Sequence, residues 1–482
     1  MADLRAIVTV LAIVLAGAVR VAALAVTSED AFLHDDGTEY RDISRNLAAG
    51  RGFAVSFYRW YEPAPPNPPA FHADVYRPPL LPLIGAPLWW VGGQSAPRAW
   101  LICAKVAAWV MAMALVLAGI GLAGAVAPGV RWARPLAALA LGFHPAVIHY
   151  SRMWSSETLF ALCILAALWL LVRLPAVARP GRLDERGMGV PPVRPAGVSP
   201  AVAAETAARH AGQRPTPQEH GLARPGRMGA LCGAAMALCC LARPNGLAFC
   251  ALIVAALAVL AVGKRRWARA AILPAVLTMA VVLAPWTIRQ GITGAGWTPT
   301  TAFGPYNFWL GNNARILASY RAADKATFDR EQKALYDEDS AQHVAKMQRD
   351  GLFDPRQTGR EWTALAMDWL REHPSDAAAI WAYRLWHFVR PWPTVFIMPA
   401  WQAAVLGIVN GLTFVLAAWW FIRRGVSWST GAPVLLCVAA NLAAALPFVF
   451  HQRFRFPMTE VPLIVLAACA VAMIVTTEQT SR

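Results

Sequence analysis

Apolar runs long enough to cross a bilayer recur along most of this chain. A helix needs about 20 apolar residues to span a hydrocarbon core of ~30 Å, and such runs alternate here with short loops that carry arginine and lysine. The pattern predicts an all-α polytopic membrane protein with about ten transmembrane helices. We place these near residues 4–26, 99–126, 135–152, 156–174, 228–243, 246–263, 270–289, 400–421, 430–449 and 458–477.

The composition supports the same class of protein. Hydrophobic residues make up 57% of the 482 residues and charged residues 15%, whereas soluble proteins average about 25% charged residues. So high an apolar content also excludes a disordered chain. The net charge of +16 is distributed over short loops, as in the positive-inside bias of membrane proteins. We therefore expect membrane lipids as partners and no nucleic acid.

The eight cysteines all lie inside apolar runs. A disulfide framework or a zinc site would place them in polar loops at ligand spacing. They are therefore expected to be small residues of the membrane core, and we expect no cofactor.

Arginine and lysine in the short loops predict the orientation of the spans. With a cytoplasmic N-terminus, the basic loops around Arg131, Lys264 and Arg423 face the cytoplasm, as expected for a multi-pass protein of a bacterial inner (plasma) membrane. Two large segments, 27–98 and 290–399, then lie outside.

This topology divides the chain into five parts. They are an N-terminal transmembrane part at 1–174 with the outer loop 27–98, a disordered cytoplasmic linker at 175–227, central helices at 228–289, an outer helical domain at 290–399, and C-terminal helices at 400–482. In the first outer loop, the apolar stretch 78–91 is short and predicts a helix lying in the membrane surface. If it spanned the membrane instead, the sidedness of all later loops would invert.

The first outer loop contains adjacent acids, Asp35 and Asp36, just before an amphipathic segment. Tyr40, Ile43 and Leu47 fall on one face of a helix, which places Asp36 at the N-terminus of that helix. Two interpretations stand here. Asp36 caps the helix, or its carboxylate is a general base at the membrane surface.

Two further charged residues have both a structural and a functional interpretation. Glu157 opens the fourth span, where it complements the helix dipole, but an ionisable group at bilayer depth is costly and indicates function by default. Arg77 precedes two prolines and either reaches lipid headgroups or binds a ligand. His144 and His149 would need a third nearby ligand to hold a metal, and the sequence offers none.

Several arginines lie outside in this topology, against the positive-inside rule, and arginine is well suited to binding phosphate. Acids and arginines that are distant in sequence thus fall on one membrane face. A substrate that carries a lipid-linked phosphate and is attacked by a hydroxyl or amine would suit such a surface. These candidates are Asp36, Arg77, Glu157, Arg243, Arg289, Arg453 and Arg455.

The order of five short motifs resembles that of a known family. The motifs are Asp36-x-x-x-Tyr40, Arg77-Pro78-Pro79-Leu80, Ser156-Glu157-x-Leu159-Phe160, Arg243-Pro244-Asn245-Gly246 and Arg453-Phe454-Arg455-x-Pro457. Together they resemble the GT-C superfamily of membrane glycosyltransferases. Its most similar branch is the family 39-like bacterial one, related to protein O-mannosyltransferases and the aminoarabinose transferase of lipid A. The resemblance weakens across 314–399 and is absent from 175–227.

The resemblance implies transfer of a hexose or pentose from a polyprenyl-phosphate carrier to an extracytoplasmic acceptor, which is a glycan, a lipid or a protein. It makes Asp36 the base, with Asp35 as the alternative, Glu157 the second acid of the site and Arg77 a ligand of the carrier phosphate. The remaining candidates for substrate binding are Tyr40, Arg243, Arg289, Asn312, Arg453 and Arg455.

This chain departs from the family pattern in the first motif, Asp36-x-x-x-Tyr40. Many relatives have Asp-Glu at the start of this motif, whereas Gly37 follows Asp36 in this sequence. The Asp-x-Asp pattern of metal-dependent members is missing from the same loop, and a monophosphate leaving group needs less neutralisation than a pyrophosphate. The arginines are therefore expected to suffice without a metal.

Two other classes of function remain open. A polymerase or ligase of lipid-linked glycans would share the outer arginines. A lipid or solute transporter would predict internal repeats and ionisable groups near the bilayer midplane, and the sequence contains no clear repeat.

Overall fold

The computed structural model describes residues 2–34, 36–92, 96–177, 220–393, 399–448 and 452–480. Within these ranges the chain is almost entirely helical, and the single sheet pairs two strands of two residues each. The predicted all-α polytopic fold class is confirmed.

Seven of the described helices are long and apolar enough to cross a membrane. Three further predicted spans correspond to shorter apolar helices. The long helices are α1 (Ala2–Val26), α5 (Pro97–Val126), α8 (Ser156–Val177), α9 (His220–Ala242), α11 (Arg266–Ile292), α18 (Ala400–Arg424) and α20 (Val461–Thr480). The shorter ones are α6 (Ala133–Phe143), which α7 (Pro145–Ser151) follows, α10 (Gly246–Val262) and α19 (Ala432–Ala445).

The helices on either side of the predicted linker are longer than the sequence pattern indicates. Helix α8 continues through Pro175 to Val177, and α9 begins at His220. Both therefore extend into the range 175–227 that was assigned to the linker. The rest of that range, 178–219, lies outside the described residues, as does Asp35.

The third predicted span is broken at His144, between α6 and α7. Pro145 has no N–H to donate to the carbonyl of Leu141, so the helical hydrogen-bond ladder stops there. Arg20 of α1 is buried, and its guanidinium donates to Leu141 O at 3.0 Å and to Gly142 O at 2.8 Å. Helix α1 thus supplies donors for carbonyls that the break leaves without backbone partners.

Close packing of α9 against α11 depends on small residues. A Cβ atom on Gly229 would lie 2.3 Å from Ala271 O, and one on Gly233 would lie 2.1 Å from Ala275 O. The two glycines of α9 are four residues apart, and so are the two alanines of α11 that they contact. Small residues at this spacing let two membrane helices approach backbone to backbone.

Residues 27–98, the predicted first outer loop, fold against the long apolar helices as three short helices and a hairpin. Its elements are α2 (Glu29–Phe32), α3 (Gly37–Ala48), β1 (Ala54–Val55), β2 (His72–Ala73) and α4 (Leu80–Gly92). Helix α4 corresponds to the predicted surface helix at 78–91. Its 13 residues extend about 20 Å, too short to cross a hydrocarbon core. It packs on α3, where a Cβ on Gly85 would lie 2.4 Å from Ser44 Oγ.

The second outer segment is helical and shares an aromatic core with the first loop. Tyr61, Val75 and Tyr76 of the loop pack with Tyr306 and Trp362 of the later segment. The helices of this segment are α12 (Gly304–Gly311), α13 (Ala314–Arg321), α14 (Lys325–Lys333), a π-helical stretch (Ala334–Asp339), α15 (Ser340–Arg349), α16 (Pro355–Glu372) and α17 (Pro374–Val389).

The last helix is preceded by two short irregular helices. They are a 3₁₀ turn (Gln452–Phe454) and a π-helical stretch (Phe456–Glu460), and α20 follows directly. This segment returns the chain from α19 and carries Arg453 toward the outer loops.

Candidate active site

Two acids and three arginines from five separate parts of the sequence meet in one cluster. Arg77 Nη2 lies 3.0 Å from Asp36 Oδ1, and Arg243 Nη1 lies 2.6 Å from Glu157 Oε1. Arg453 lies between the two pairs, with Nη2 3.7 Å from Asp36 Oδ2 and Nε 3.8 Å from Glu157 Oε1. We call these five residues the acid–arginine cluster.

Asp36 occupies the N-cap position of α3, but its side chain makes no capping hydrogen bond within the described part of the chain. The carboxylate contacts arginines instead. The backbone position is therefore that of a cap, whereas the side-chain contacts are those of an ion pair. The role of Asp36 as a general base stays a prediction. Glu157 lies in the first turn of α8, where helix dipole and arginines act on it together.

Arg243 is placed by the turn between α9 and α10. Gly246 begins α10 where a Cβ atom would lie 2.5 Å from the Cys239 backbone, so the two helices meet closely at this turn. The guanidinium of Arg243 is then directed at the start of α8. Arg453 comes from the 3₁₀ turn before α20.

A second group of ion pairs surrounds Arg77 on its other side. Glu39 accepts from Arg77 through both carboxylate oxygens, at 2.7 and 2.6 Å, and also forms an ion pair with Arg59. Arg59 in turn lies 3.1 Å from Glu62 and 2.9 Å from Asp74. A bidentate pair fixes the plane of a guanidinium, so Glu39 orients Arg77 toward Asp36.

This second group of ion pairs is not predictable from the sequence. Arg59, Glu62 and Asp74 lie in an irregular segment with no helical or strand periodicity, so no pattern marks them as partners. Glu39 was recognisable only as an acid one turn after Asp36, on the same side of α3.

The arginines control the ionisation of the carboxyl groups around them. Burial alone would raise the pKa of Asp36, but the charges of Arg77, Arg453 and Arg243 outweigh it and lower that pKa to about 2. The pKa of Glu39 is likewise lowered, because Arg77 and Arg59 overcome the effect of its burial. Both groups are therefore carboxylates at neutral pH.

Four residues of the acid–arginine cluster line a cavity of about 810 Å³, namely Asp36, Arg77, Arg243 and Arg453. One side of the cavity is apolar and is formed by helices α10 and α19, through Leu247, Ala248, Ala251 and the alanines at 443–445. A second group of lining residues comes from the segments 27–98 and 290–399 and is aromatic; we call it the aromatic side. These aromatic residues are Trp60, Tyr61, Tyr76, Phe303, Tyr306 and Tyr336.

The other predicted site residues lie in different surroundings. Tyr40 lines the cavity and is 1% exposed. Arg289 does not reach the cluster, because its guanidinium donates to Phe53 O at 2.6 Å and packs over the Phe53 ring. Asp35 lies outside the described residues.

Asn312 and Arg455 hold the outer helices to the membrane helices. The amide of Asn312 donates to Pro447 O at 2.8 Å, just beyond α19. Arg455 lies 2.7 Å from Glu460 and donates to Phe388 O, near the end of α17, at 3.0 Å. Their polar groups satisfy backbone carbonyls and a buried acid, so neither residue is placed in the cavity wall.

No known protein family matches this sequence, and no curated protein does. Solved structures match it in fold. The oligosaccharyltransferase of Archaeoglobus fulgidus in complex with Zn and sulfate has a TM-score of 0.53 at 12% identity, over 98% of this chain and 50% of that one. The same enzyme tethered with an acceptor peptide has a TM-score of 0.53 at 14% identity, with the same coverage.

A crystal structure of ArnT from Cupriavidus metallidurans bound to undecaprenyl phosphate is less similar. Its TM-score is 0.37 at 15% identity, over 98% of this chain and 79% of that one. The present chain spans about half the length of the oligosaccharyltransferase chains. The described helices share the fold of this oligosaccharyltransferase, which is consistent with the resemblance of the sequence motifs to the GT-C superfamily.

The described residues of the cluster do not fit a divalent metal. No group of three or more His, Cys, Asp or Glu within the described ranges is arranged to hold one. Asp36 and Glu157 are each bound by guanidinium groups, whose charge opposes a nearby cation. His144 is engaged elsewhere, since its Nδ1 accepts from Ala146 N and caps α7.

Proposed function

We propose that this chain is an integral-membrane glycosyltransferase that moves a sugar from a polyprenyl-phosphate carrier to an extracytoplasmic acceptor. The observation that carries the proposal is the acid–arginine cluster, in which three guanidinium groups meet two carboxylates beside a cavity with an apolar helical side. The GT-C fold supports the same class of enzyme. The basic short loops support an active site on the extracytoplasmic face of the inner membrane.

The arginines are suited to the leaving group. When the bond between the anomeric carbon and the phosphate oxygen breaks, the charge on the carrier phosphate grows from about −1 toward −2. Arg77, Arg243 and Arg453 are preorganised by their carboxylate partners and face this growing charge in a site of low polarity. The apolar side formed by α10 and α19 suits the first isoprene units of the carrier.

Asp36 is suited to accept the acceptor proton. The acceptor hydroxyl or amine attacks the anomeric carbon on the face opposite the phosphate, so the new bond forms as the old one breaks and the configuration inverts. The proton passes to Asp36. Glu157 positions Arg243 and does not contact the reacting atoms in this scheme.

The pKa of Asp36 should depend on whether the donor is bound. A carboxylate with a pKa of about 2 is a weak base at neutral pH. When an anionic phosphate binds Arg77 and Arg453, their charges are compensated, and the pKa of Asp36 rises. Donor binding thus strengthens the base at the moment it is needed.

The test uses purified protein in liposomes that contain a labelled polyprenyl-phosphate sugar, with a crude envelope extract as acceptor. Release of polyprenyl phosphate is measured for the wild type, Asp36→Asn and Asp30→Asn, the last being an exposed acid on α2. We expect the Asp36 variant to lose about 10²-fold or more and the Asp30 variant to match the wild type. Retained activity in Asp36→Asn would rule out its role as base.

The donor class is tested in the same assay. Hexosyl and pentosyl polyprenyl phosphates are supplied in turn. If the wild type releases no polyprenyl phosphate from any of them, the donor class proposed here is wrong.

A further inference from the structure

The aromatic side of the cavity contains a tryptophan whose ring is held in place but not covered. Trp60 is 48% exposed and lines the cavity. Its ring makes nearly perpendicular contacts with Tyr61, Tyr306 and Tyr336, at centroid distances of 5.2, 5.2 and 5.0 Å. Contacts of this kind fix the ring orientation. A rigid and exposed aromatic ring in a cavity wall is a ready contact for a ligand.

Two buried hydroxyl groups line the same cavity. Tyr61 is 3% exposed and Thr301 7% exposed. Their side-chain oxygens have no hydrogen-bond partner within the described part of the chain. A buried hydroxyl is normally satisfied, so these two are available to bond a ligand with hydroxyl groups of its own.

We infer that the aromatic side of the cavity is a subsite for a saccharide unit of the acceptor. A pyranose ring presents a face of weakly positive C–H groups, which is complementary to the negative face of an aromatic ring. Its hydroxyls both donate and accept, and so can satisfy Tyr61 and Thr301. No other common class of acceptor presents an apolar ring face together with a dense set of hydroxyls.

The position of Trp60 assigns the subsite to the acceptor and not to the carrier. Its neighbour Arg59 pairs with Glu39, which pairs with Arg77, which pairs with Asp36. Four ion-paired side chains thus lead from the neighbour of Trp60 to the proposed base. Trp60 itself belongs to the segment 27–98, whereas the apolar residues that suit the carrier belong to α10 and α19. The inference rests on the proposed function, because that function defines which substrate is the donor and which is the acceptor.

A peptide acceptor fits this part of the cavity less well. Extended peptides commonly bind by adding a strand to a sheet edge, and the strands in this loop, Ala54–Val55 and His72–Ala73, are two residues long. Glu39 and Arg77, which line the same cavity, are paired with each other. The aromatic contacts and hydroxyls favour a sugar over a charged or extended peptide.

The binding test is saturation-transfer NMR on protein in nanodiscs, in an Asp36→Asn background that keeps the ligands intact. The probes are neutral disaccharides of hexoses and N-acetylhexosamines, with short peptides in parallel. We expect ring C–H protons of at least one disaccharide to receive saturation, and Trp60→Ala to weaken its binding about tenfold, equivalent to ~1.4 kcal/mol. Trp60→Phe should retain part of the binding.

Trp297→Ala is the matched control, because Trp297 is 70% exposed in the outer segment and does not line the cavity. It should leave disaccharide binding unchanged. Absence of saturation on every disaccharide, or saturation of peptides alone, overturns the inference. An equal loss in Trp60→Ala and Trp297→Ala does so as well.

The transfer assay separates failure of this inference from failure of the proposed function. In an otherwise wild-type chain, Trp60→Ala should raise the extract concentration for half-maximal release about tenfold and leave the donor dependence unchanged. A shift in donor dependence alone would place Trp60 on the donor sugar and overturn the acceptor assignment. Disaccharide binding by a protein that releases no polyprenyl phosphate would refute the proposed function and leave the saccharide subsite standing.

Discussion

Arg243 Nη1 lies 2.6 Å from Glu157 Oε1, and both residues are removed from solvent, at 9% and 2% exposed. Taking two charges out of water costs about as much as their attraction returns. The pair therefore adds little net stability to the fold. Its value lies in holding a guanidinium at the cavity, where it faces the substrate phosphate in our proposal.

The first prediction concerns this pair. Glu157→Gln leaves the buried Arg243 without its partner and should destabilise the protein by about 3–5 kcal/mol. Glu157→Leu combined with Arg243→Met should recover most of that stability, yet remain inactive in transfer. Thermal unfolding in detergent and the transfer assay give the two readouts. A double variant as unstable as the sum of its single variants would contradict the interpretation.

The second prediction concerns the pH dependence of transfer. Because the pKa of Asp36 is lowered to about 2, the free enzyme keeps this base ionised across the working range. Anionic donor raises that pKa, so the acid limb of kcat, which reports the enzyme–substrate complex, should lie at higher pH than the limb of kcat/KM. Both profiles come from release assays in which the pH is lowered stepwise from about 8. The acid limb should appear in kcat while kcat/KM is still constant. Coincident acid limbs would show that the donor does not compensate Arg77 and Arg453.

The same lowered pKa affects stability in a defined direction. A carboxyl group with a folded-state pKa below its unfolded value of 3.8 stabilises the fold above that value. The contribution is lost as the pH falls from there through about 2. Asp36→Asn should therefore weaken the dependence of thermal stability on pH in this acid window only.

The third prediction concerns the break between α6 and α7. Arg20→Leu removes the donors to Leu141 O and Gly142 O and leaves buried carbonyls unsatisfied, which costs about 1–3 kcal/mol for each group. Thermal unfolding should show this loss, whereas Arg98→Leu, at an exposed arginine in the first turn of α5, should change little. Equal melting temperatures for the two variants would mean that the carbonyls find other donors.

The fourth prediction concerns the contact between α3 and α4. Gly85→Ala places a methyl group 2.4 Å from Ser44 Oγ, so α3 must shift and Asp36 moves with it. We expect a loss of about 1–3 kcal/mol in stability together with reduced transfer. Gly359→Ala in α16 is the matched control, because its nearest neighbour lies at 3.4 Å, and its stability should stay equal or rise. Full activity in the Gly85 variant would show that the cluster tolerates a displaced α3.

The sequence alone could predict that the five residues of the acid–arginine cluster lie on the same side of the membrane helices. They are Asp36, Arg77, Glu157, Arg243 and Arg453. Charges at the ends of apolar helices are expensive and few, and the loop charges assign an orientation to each helix. Residues that are distant in sequence can thus be grouped by membrane face. That grouping carries no distances, so it could not show that Arg453 lies between the two acids.

The same grouping could not separate arginines with different partners. An arginine on the outer face satisfies backbone carbonyls as readily as phosphate, and Arg289 and Arg455 do the former. The sequence also gave no sign of Trp60 as a ligand contact. Its orientation depends on tyrosines from a segment more than two hundred residues later, which only the folded chain brings near.

Arg453 and Arg455 are two residues apart but contact different parts of the molecule. Arg453 contacts both acids of the cluster, and Arg455 donates a hydrogen bond to Phe388 O near the end of α17. The short segment 453–455 therefore connects α17 to the acid–arginine cluster, where our proposal places the carrier phosphate. A movement of α17 would change the distance between Arg453 and the carboxylate of Asp36. In our proposal, binding of an acceptor to the helices around α17 would therefore alter the charge around the proposed base.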